Sequence, residues 1–376
     1  MTAIAEILRQ EILQRGTISF TRFMQLALYC PDFGYYERPG AITGRAADFY
    51  TSVAVGSLFG DLLAFQFAEW LRPLSPRPFQ IVEAGAHDGS LAADILTGLG
   101  KNSAATLESL QYWIVEPSVR RQACQREKLD KFAGRVRWFD AFASLPQTGV
   151  HGVIFSNELL DAFPVRRLGW DASMRRWFEW GVDWQEKEFV WKRIPIDPGQ
   201  LNDELLASGL HLPPELEAAL PAGFILEICP AVGDWWRQAG GKLRAGKLLT
   251  FDYGLRAEQF LTPERTSGTL RAYHKHHASS DLLANPGDQD LTAHVNFSQL
   301  QRAGEAAGLR TEALISQEKL LIGIARSVWQ HDSSFGERGS ARLRQLQTLI
   351  HPAHLGQSFQ VLIQSRPEVG PPSTPS

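Results

Sequence analysis

No apolar run in the 376 residues approaches the roughly 20 that a bilayer-spanning helix needs, so no membrane insertion is expected. Cysteine is scarce and scattered. Cys30, Cys124 and Cys229 form no CxxC pair, which argues against a disulfide framework or a zinc site and predicts buried thiols. An excess of either charge is missing too: 38 Lys and Arg against 41 Asp and Glu leave a formal net charge of -3, with no electrostatic footprint for nucleic acid or an anionic membrane. The opening MTAIAEILRQEILQRG sets acids among its apolar residues, unlike a signal or transit peptide, and the expected compartment is the cytoplasm. Internal repeats are absent as well. What remains, 44% hydrophobic and 21% charged, is an ordinary globular balance with chain enough for a sizeable core. The substrate has to be read from a site.

Short apolar runs separated by helical patterns fill the middle of the chain: FQIVEA, QYWIVE, RVRWF, GVIFSN and, after a long interruption, KLLTFDYG. Strands alternating with helices predict an α/β, doubly wound, Rossmann-like fold, its mainly parallel sheet covered on both faces. Ligands of such sheets collect at the carboxyl ends of the strands, where this sequence puts Glu83, Glu116, Asp140, Asn157 with Glu158, and Asp252. Residues 1–75 read as a helical N-terminal cover. They hold the aromatic segment LALYCPDFGYYERPGAITGRAADFYTS and the apolar helix GSLFGDLLAFQFAEWLR, stopped by PLSPRPF. Residues 76–164 and 223–366 read as the two parts of the core, and 165–222 as an inserted hairpin and helical segment. In that insert Trp177, Trp180, Trp184 and Trp191 surround a GVD turn; cross-strand packing is the favoured role for the rings, an aromatic surface for a partner the alternative. FSQLQRAGEAAGL is a helix stopped by Gly308, FQVLIQS a last strand, and 367–376 a disordered tail.

IVEAGAHDGSLAADIL reads as strand, glycine turn and helix. The nicotinamide fingerprint GxGxxG needs glycine at 85, 87 and 90 and meets Gly85, His87 and Ser90. The S-adenosylmethionine pattern, acid-x-Gly-x-Gly-x-Gly, finds Glu83, Gly85 and Gly89 and lacks only the glycine at 87. This cofactor has no pyrophosphate. It needs a close backbone approach to its methionine and ribose, and an acid that accepts the ribose hydroxyls; Glu116, closing the second strand, is that acid. Histidine tolerates a left-handed backbone better than most residues, so the turn keeps its path if the His87 imidazole faces outward. Facing inward, it would fill the methionine pocket. A turn that carries glycine for steric reasons alone is the competing reading.

ISFTRFMQLALYCPDFGYY, ADFYTS with the helix after it, IVEAGAHDGSLAADIL, SNELLDAFPV, TFDYG and GTLRAYHKHHASSDLLANPGDQDLTAHVNFSQL together resemble the MidA family of class I methyltransferases. The resemblance runs from about Ile18 to Leu300. It implies a methyltransferase core with a helical N-terminal cover and an insert before the fifth strand, with S-adenosylmethionine held by Glu83, Gly85, Gly89 and Glu116. It also implies a protein substrate. Mitochondrial members of the family include a protein arginine methyltransferase that helps assemble respiratory complex I, so a respiratory complex subunit is an expected partner. Two departures stand out: Ala86, His87 and Asp88 occupy the glycine-rich turn, and Ala47, Asp48 and Phe49 stand where the family usually reads Gly-Asp-Phe.

A sulfonium methyl is already activated, so the protein has to exclude water, aim a lone pair and manage one proton. Arginine adds a demand, because its guanidinium stays protonated and is a weak nucleophile; carboxylates that grip it position and polarise it. SNELLDAFPV places Glu158 and Asp161 three apart, side by side if the segment starts a helix, and Asp252 closes the next strand. These three are the catalytic candidates, Glu158 first. Acids favoured by a helix dipole, and a turn residue before Gly254, are the competing roles. Asn157 is a candidate for the cofactor's amino group or for a helix cap, and Asp140 is a further cofactor candidate. Asp48, Thr51 and Ser52 are candidates to close over the cofactor's amino acid end, with a cap on the next helix as the alternative. His274, His276 and His277 keep no ligand spacing with an acid or cysteine, so the expectation is no metal and a mobile substrate loop. Three functions follow: a methyltransferase acting on a protein side chain, arginine by the resemblance; a catalytically inactive methyltransferase-fold binding or assembly protein; and a nicotinamide oxidoreductase, which the glycine mismatch discourages.

Overall fold

The computed structural model describes residues 2–38, 52–75, 77–274, 277–331, 340–351 and 359–368. Two units interleave along the chain. One takes Tyr50–Leu159, Trp236–Asp252 and Ala303–Ser376; the other takes Met1–Phe49, Leu160–Trp235 and Tyr253–Arg302.

The first of these units is Rossmann-like. Its strands are β1 (Phe79–Ala84), β2 (Leu110–Val115), β3 (Val136–Phe139), β4 (Val150–Asn157), β5 (Leu243–Leu255), β6 (Arg310–Ser316) and β7 (Phe359–Arg366). They lie in the order β6-β7-β5-β4-β1-β2-β3; β1 to β5 pair in parallel and β6 with β7 antiparallel. Every residue of β1 is buried, as the central strand of a doubly covered sheet must be, which is why its sequence is nearly continuous in apolar residues. Helix α1 (Leu58–Leu71) packs against the sheet by its rings, Phe67 on Phe155 at 5.2 Å and Phe59 on Phe251 at 5.3 Å. Helix α2 (Ser90–Asn102) follows the β1 turn, and helix α3 (Val119–Lys128) follows β2, started by the Ser118 side chain accepting from the Arg121 N–H.

The other unit carries two antiparallel sheets. Five strands, Ile18–Ser19, Arg166–Asp171, Arg176–Gln185, Glu188–Ile194 and Ile225–Ile228, form one; Arg271–His274, His277–Ser279 and Asp290–Thr292 form the other. Helices Ala3–Arg15 and Phe20–Tyr29 belong here too, capped by Thr2 and Ser19, and bury Phe20, Phe23 and Leu28 in a common core with Val182.

Several expectations need correction. The chain does not turn at GVD. Gly181, Val182 and Asp183 lie inside the strand Arg176–Gln185, and the reversal is the left-handed pair Glu186 and Lys187, with φ 48° and 71°. Gly181 serves a close approach: a β-carbon there would lie 2.6 Å from the Ile18 carbonyl oxygen of the neighbouring strand. The tryptophans pack across strands, Trp177 on Trp170 at 5.2 Å, Trp180 on Trp191 at 6.2 Å and Trp184 on Phe189 at 4.8 Å. The protein's own arginines cover part of this surface, Arg193 over Phe178 and Arg167 over Trp191. Of the thiols only Cys30 is buried; Cys124 and Cys229 are partly exposed, Cys124 because it sits on α3, whose one buried residue is Gln125. His274 and His277 are paired strand residues rather than loop, and His274 Nδ1 lies 2.7 Å from the Asp288 carbonyl oxygen; His276 lies outside the described residues. Among the described residues no helix is long and apolar enough to cross a membrane, and no three His, Cys, Asp or Glu gather as metal ligands.

Candidate active site

The turn after β1 repeats one backbone conformation three times. Gly85, His87 and Gly89 have φ 71°, 46° and 83°, all left-handed. At Gly85 glycine is needed twice over, since a β-carbon would also lie 2.6 Å from the Leu159 side chain. His87 keeps the path without glycine. Its side chain is 54% exposed, so the imidazole faces water and leaves the inside of the turn open. Asp88 then starts α2, its carboxylate accepting from the Ser90 N–H at 2.9 Å and hydroxyl at 2.8 Å, with Lys128 Nζ at 2.7 Å.

The two acids at the ends of β1 and β2 are held differently. Glu83 is buried among apolar residues and accepts the Tyr112 hydroxyl at 2.6 Å; burial lifts its pKa to about 7, against the pull of that bond. Glu116, 1% exposed, accepts from the Ser118 N–H at 3.0 Å and Arg121 Nε at 3.1 Å on one oxygen, and from Gln125 Nε2 at 3.3 Å on the other. A carboxylate offers about four lone-pair sites, so Glu116 retains capacity for a further donor. Asp140 is exposed just beyond β3 and accepts from the Ser144 hydroxyl.

β4 does not run into a helix. Glu158 is left-handed, φ 50°, and Leu160–Ala162 is a single 3-10 turn, so the helix expected to place Glu158 beside Asp161, to be capped by Asn157 and to favour both acids through its dipole does not form. The reason is tertiary. The Glu158 N–H bonds the Phe251 carbonyl at 2.9 Å and the Leu159 N–H bonds Asp252 Oδ2 at 3.3 Å, so β5 holds the chain past the end of β4. Asp161 is buried in the other unit, where its backbone carbonyl accepts from the Ala293 N–H.

Glu158 Oε1 accepts from the Ser52 N–H at 3.1 Å and from Asn157 Nδ2 at 3.0 Å. The residue is partly buried, and that burial strips its carboxyl of part of its hydration. That desolvation raises its pKa to about 8, against these two bonds and helped by the charge of Asp252 nearby. Asp252 itself is fully buried. Asn157 Oδ1 is buried and has no hydrogen-bond partner among the described residues. Ser52 contributes its backbone, while its hydroxyl donates to Gln317 Oε1 at 3.3 Å; it caps no helix, since α1 starts at Leu58 with Ser57 at its N-cap position. Asp48 and Thr51 lie outside the described residues. Sequence reasoning passed over Tyr112, Arg121, Gln125 and Gln317. Only Tyr112 left a signal, alternation along β2 placing it on the sheet face that carries Ile81 and Glu83.

These features suit S-adenosylmethionine. Gly85, His87 and Gly89 shape a left-handed turn at the end of β1, Glu116 retains acceptor capacity, and the buried Asn157 Oδ1 has no donor among the described residues. The strand order, with an antiparallel pair beyond β5 and this turn after β1, defines a class I methyltransferase. The family model described as "S-adenosyl-L-methionine-dependent methyltransferase" matches residues 62–315, and the chain belongs to that family, the MidA family of the resemblance. A Burkholderia thailandensis protein whose crystal structure is bound to S-adenosyl-homocysteine is 34% identical, with a TM-score of 0.83 over 98% of this chain and 93% of that one. The relative named protein arginine methyltransferase NDUFAF7, mitochondrial, from Homo sapiens is 28% identical over 96% of this chain and 82% of its own. Its Drosophila melanogaster homolog, also named mitochondrial, is 27% identical over 81% and 71%. The protein is an S-adenosylmethionine-dependent methyltransferase. The expected cytoplasmic location is overturned by the Homo sapiens and Drosophila melanogaster relatives, both named mitochondrial; the composition of a chain's first residues does not fix a compartment.

Proposed function

We propose that this methyltransferase modifies arginine side chains of a protein, with Glu158 and Asp252 as the carboxylates that hold the guanidinium. The observation that carries the reading is Glu158, a carboxyl fixed in a left-handed backbone by the Ser52 N–H and Asn157 at the end of β4, beside the buried Asp252. Strained non-glycine residues held by several bonds concentrate at functional sites. S-adenosylmethionine, when bound, supplies a methyl group already activated on a sulfonium. The left-handed turn of Gly85, His87 and Gly89 lies along it; Glu116 accepts from its ribose, Asn157 Oδ1 from its amino group, and Asp140 completes the set.

Near neutral pH the Glu158 carboxyl keeps its proton, since its pKa is about 8. An incoming guanidinium favours the carboxylate: the carboxyl releases its proton to solvent, then grips two of the guanidinium N–H groups and orients the reacting nitrogen. When that nitrogen gains a methyl group it loses a proton, and Glu158 is placed to accept it. Asp161, on the 3-10 turn after Glu158, is not assigned to this pair. The names of the relatives support arginine as the methylated residue. The respiratory complex subunit implied by the resemblance is the protein target within this proposal.

The test uses methyl-labelled S-adenosylmethionine and protein extract from the source cells, followed by acid hydrolysis and chromatography of the labelled amino acids. Wild type should yield methylarginine and the Glu158→Gln variant about a hundredth as much or less. Label in another amino acid, or methylarginine made equally by the variant, would overturn the proposal.

A further inference from the structure

Gln125 has no assigned part in methyl transfer, yet it is the only buried residue of α3 and is fully covered. A leucine would fill such a place without a polar group to satisfy. Its amide makes three bonds. Nε2 donates to the His87 carbonyl at 2.9 Å and to Glu116 Oε2 at 3.3 Å, while Oε1 accepts from Trp138 Nε1 on β3 at 3.0 Å. Because the indole N–H is a donor only, it fixes which end of the amide is oxygen. Arg121 and Lys128, four residues before and three after, share this side of the helix and reach Glu116 and Asp88. One helix face thus grips both the turn after β1 and the acid after β2.

We propose that Gln125 is a positioning residue for cofactor binding: it holds the His87 peptide in its left-handed conformation and ties the turn to the carboxylate of Glu116. The inference rests on the assignment of that turn and Glu116 to the cofactor. It accounts for how the turn keeps its path with histidine where glycine is usual.

The experiment is calorimetric titration of the whole chain with S-adenosylhomocysteine, using wild type, Glu116→Ala, Gln125→Leu, His87→Gly, and the last two combined. Gln125→Leu should weaken binding about tenfold, with some fall in the melting temperature of the cofactor-free protein from the groups left unpaired. In the His87→Gly background the same change should weaken binding less, because glycine takes the left-handed turn unaided. A purely structural role would act equally in both backgrounds. Equal affinity of Gln125→Leu and wild type, or equal loss in both backgrounds, overturns the proposal. Should Gln125→Leu fail to fold, Trp138→Phe releases the amide without removing it; a smaller loss of affinity is expected, and unchanged affinity again overturns the proposal. Glu116→Ala separates the two levels. If it binds like wild type, the assignment of the site falls and the proposal with it; if it loses binding while Gln125→Leu does not, the proposal alone falls.

Discussion

His87 after β1 and Glu158 after β4 hold the same left-handed backbone, φ 46° and 50°, for opposite reasons. At 87 the side chain faces water and the peptide is held, its carbonyl bonded by Gln125. At 158 the carboxyl is drawn inward and bonded by the Ser52 N–H and Asn157. A strained residue is therefore no guide by itself to what a site uses. The bonds around it say whether the backbone or the side chain is wanted, and substitution separates the two cases.

The largest difference should appear in methyl transfer. Glu158→Gln keeps the shape and the acceptor for the Ser52 N–H but cannot form a carboxylate, so turnover should fall by a factor of about 10² to 10⁴, the usual reach of a proton-handling group. S-adenosylhomocysteine affinity should stay near that of wild type. His87→Gln should leave turnover close to normal. A comparable loss at 87 would break the contrast, and steady-state assays of both variants decide it.

The pH profile should sharpen it. Glu158 has its pKa raised to about 8 in the free protein, and gripping a guanidinium requires the ionised form, so kcat/KM should rise with pH and level off above that value, while kcat, set by the complex, should level off lower. Stability should run the other way. Below the ordinary value of 4.5 both folded and unfolded protein hold the proton; between there and about 8 only the folded protein does, so this group lowers stability as pH rises through that window. Glu158→Gln should consequently unfold at higher denaturant than wild type at pH 8, by about 2 kcal/mol after discounting for partial contact with water, and show no such gain near pH 4. A variant equally stable or weaker at pH 8 would mean that the carboxyl is not withdrawn from water.

How much of this could be read beforehand follows the range of the interactions. The runs that became β1, β2, β4 and β5 were legible because central parallel strands are largely apolar, and the β1 turn because Gly85 and Gly89 mark left-handed positions. The end of β4 carries a helix-start signal that the fold overrides. Asn157, Glu158 and Asp161 carry the composition of an N-terminal turn, and what prevents the helix is bonding of Glu158 and Leu159 to β5, more than ninety residues away. The GVD segment failed similarly: glycine marks turns, but Gly181 is needed by the approach of Ile18 from a distant strand. Gln125 looked like one polar residue in a polar helix, and only the packed turn above it gives it three partners.

The smallest effects belong to position 87, and their sign carries the argument. A β-branched side chain is poorly tolerated at positive φ, so His87→Val should cost about 1–2 kcal/mol and weaken S-adenosylhomocysteine binding by distorting the turn. His87→Gly relieves a backbone penalty of about 1 kcal/mol but frees the unfolded chain by about 0.5–1 kcal/mol, so the two nearly cancel. Stability from urea denaturation and affinity from calorimetry should both stay close to wild type for glycine and fall for valine. That ordering follows if position 87 supplies only a peptide in a given conformation. If glycine lost binding as valine does, the imidazole would itself be a ligand for the cofactor, and His87 and Glu158 would be two instances of one device rather than opposite uses of the same backbone.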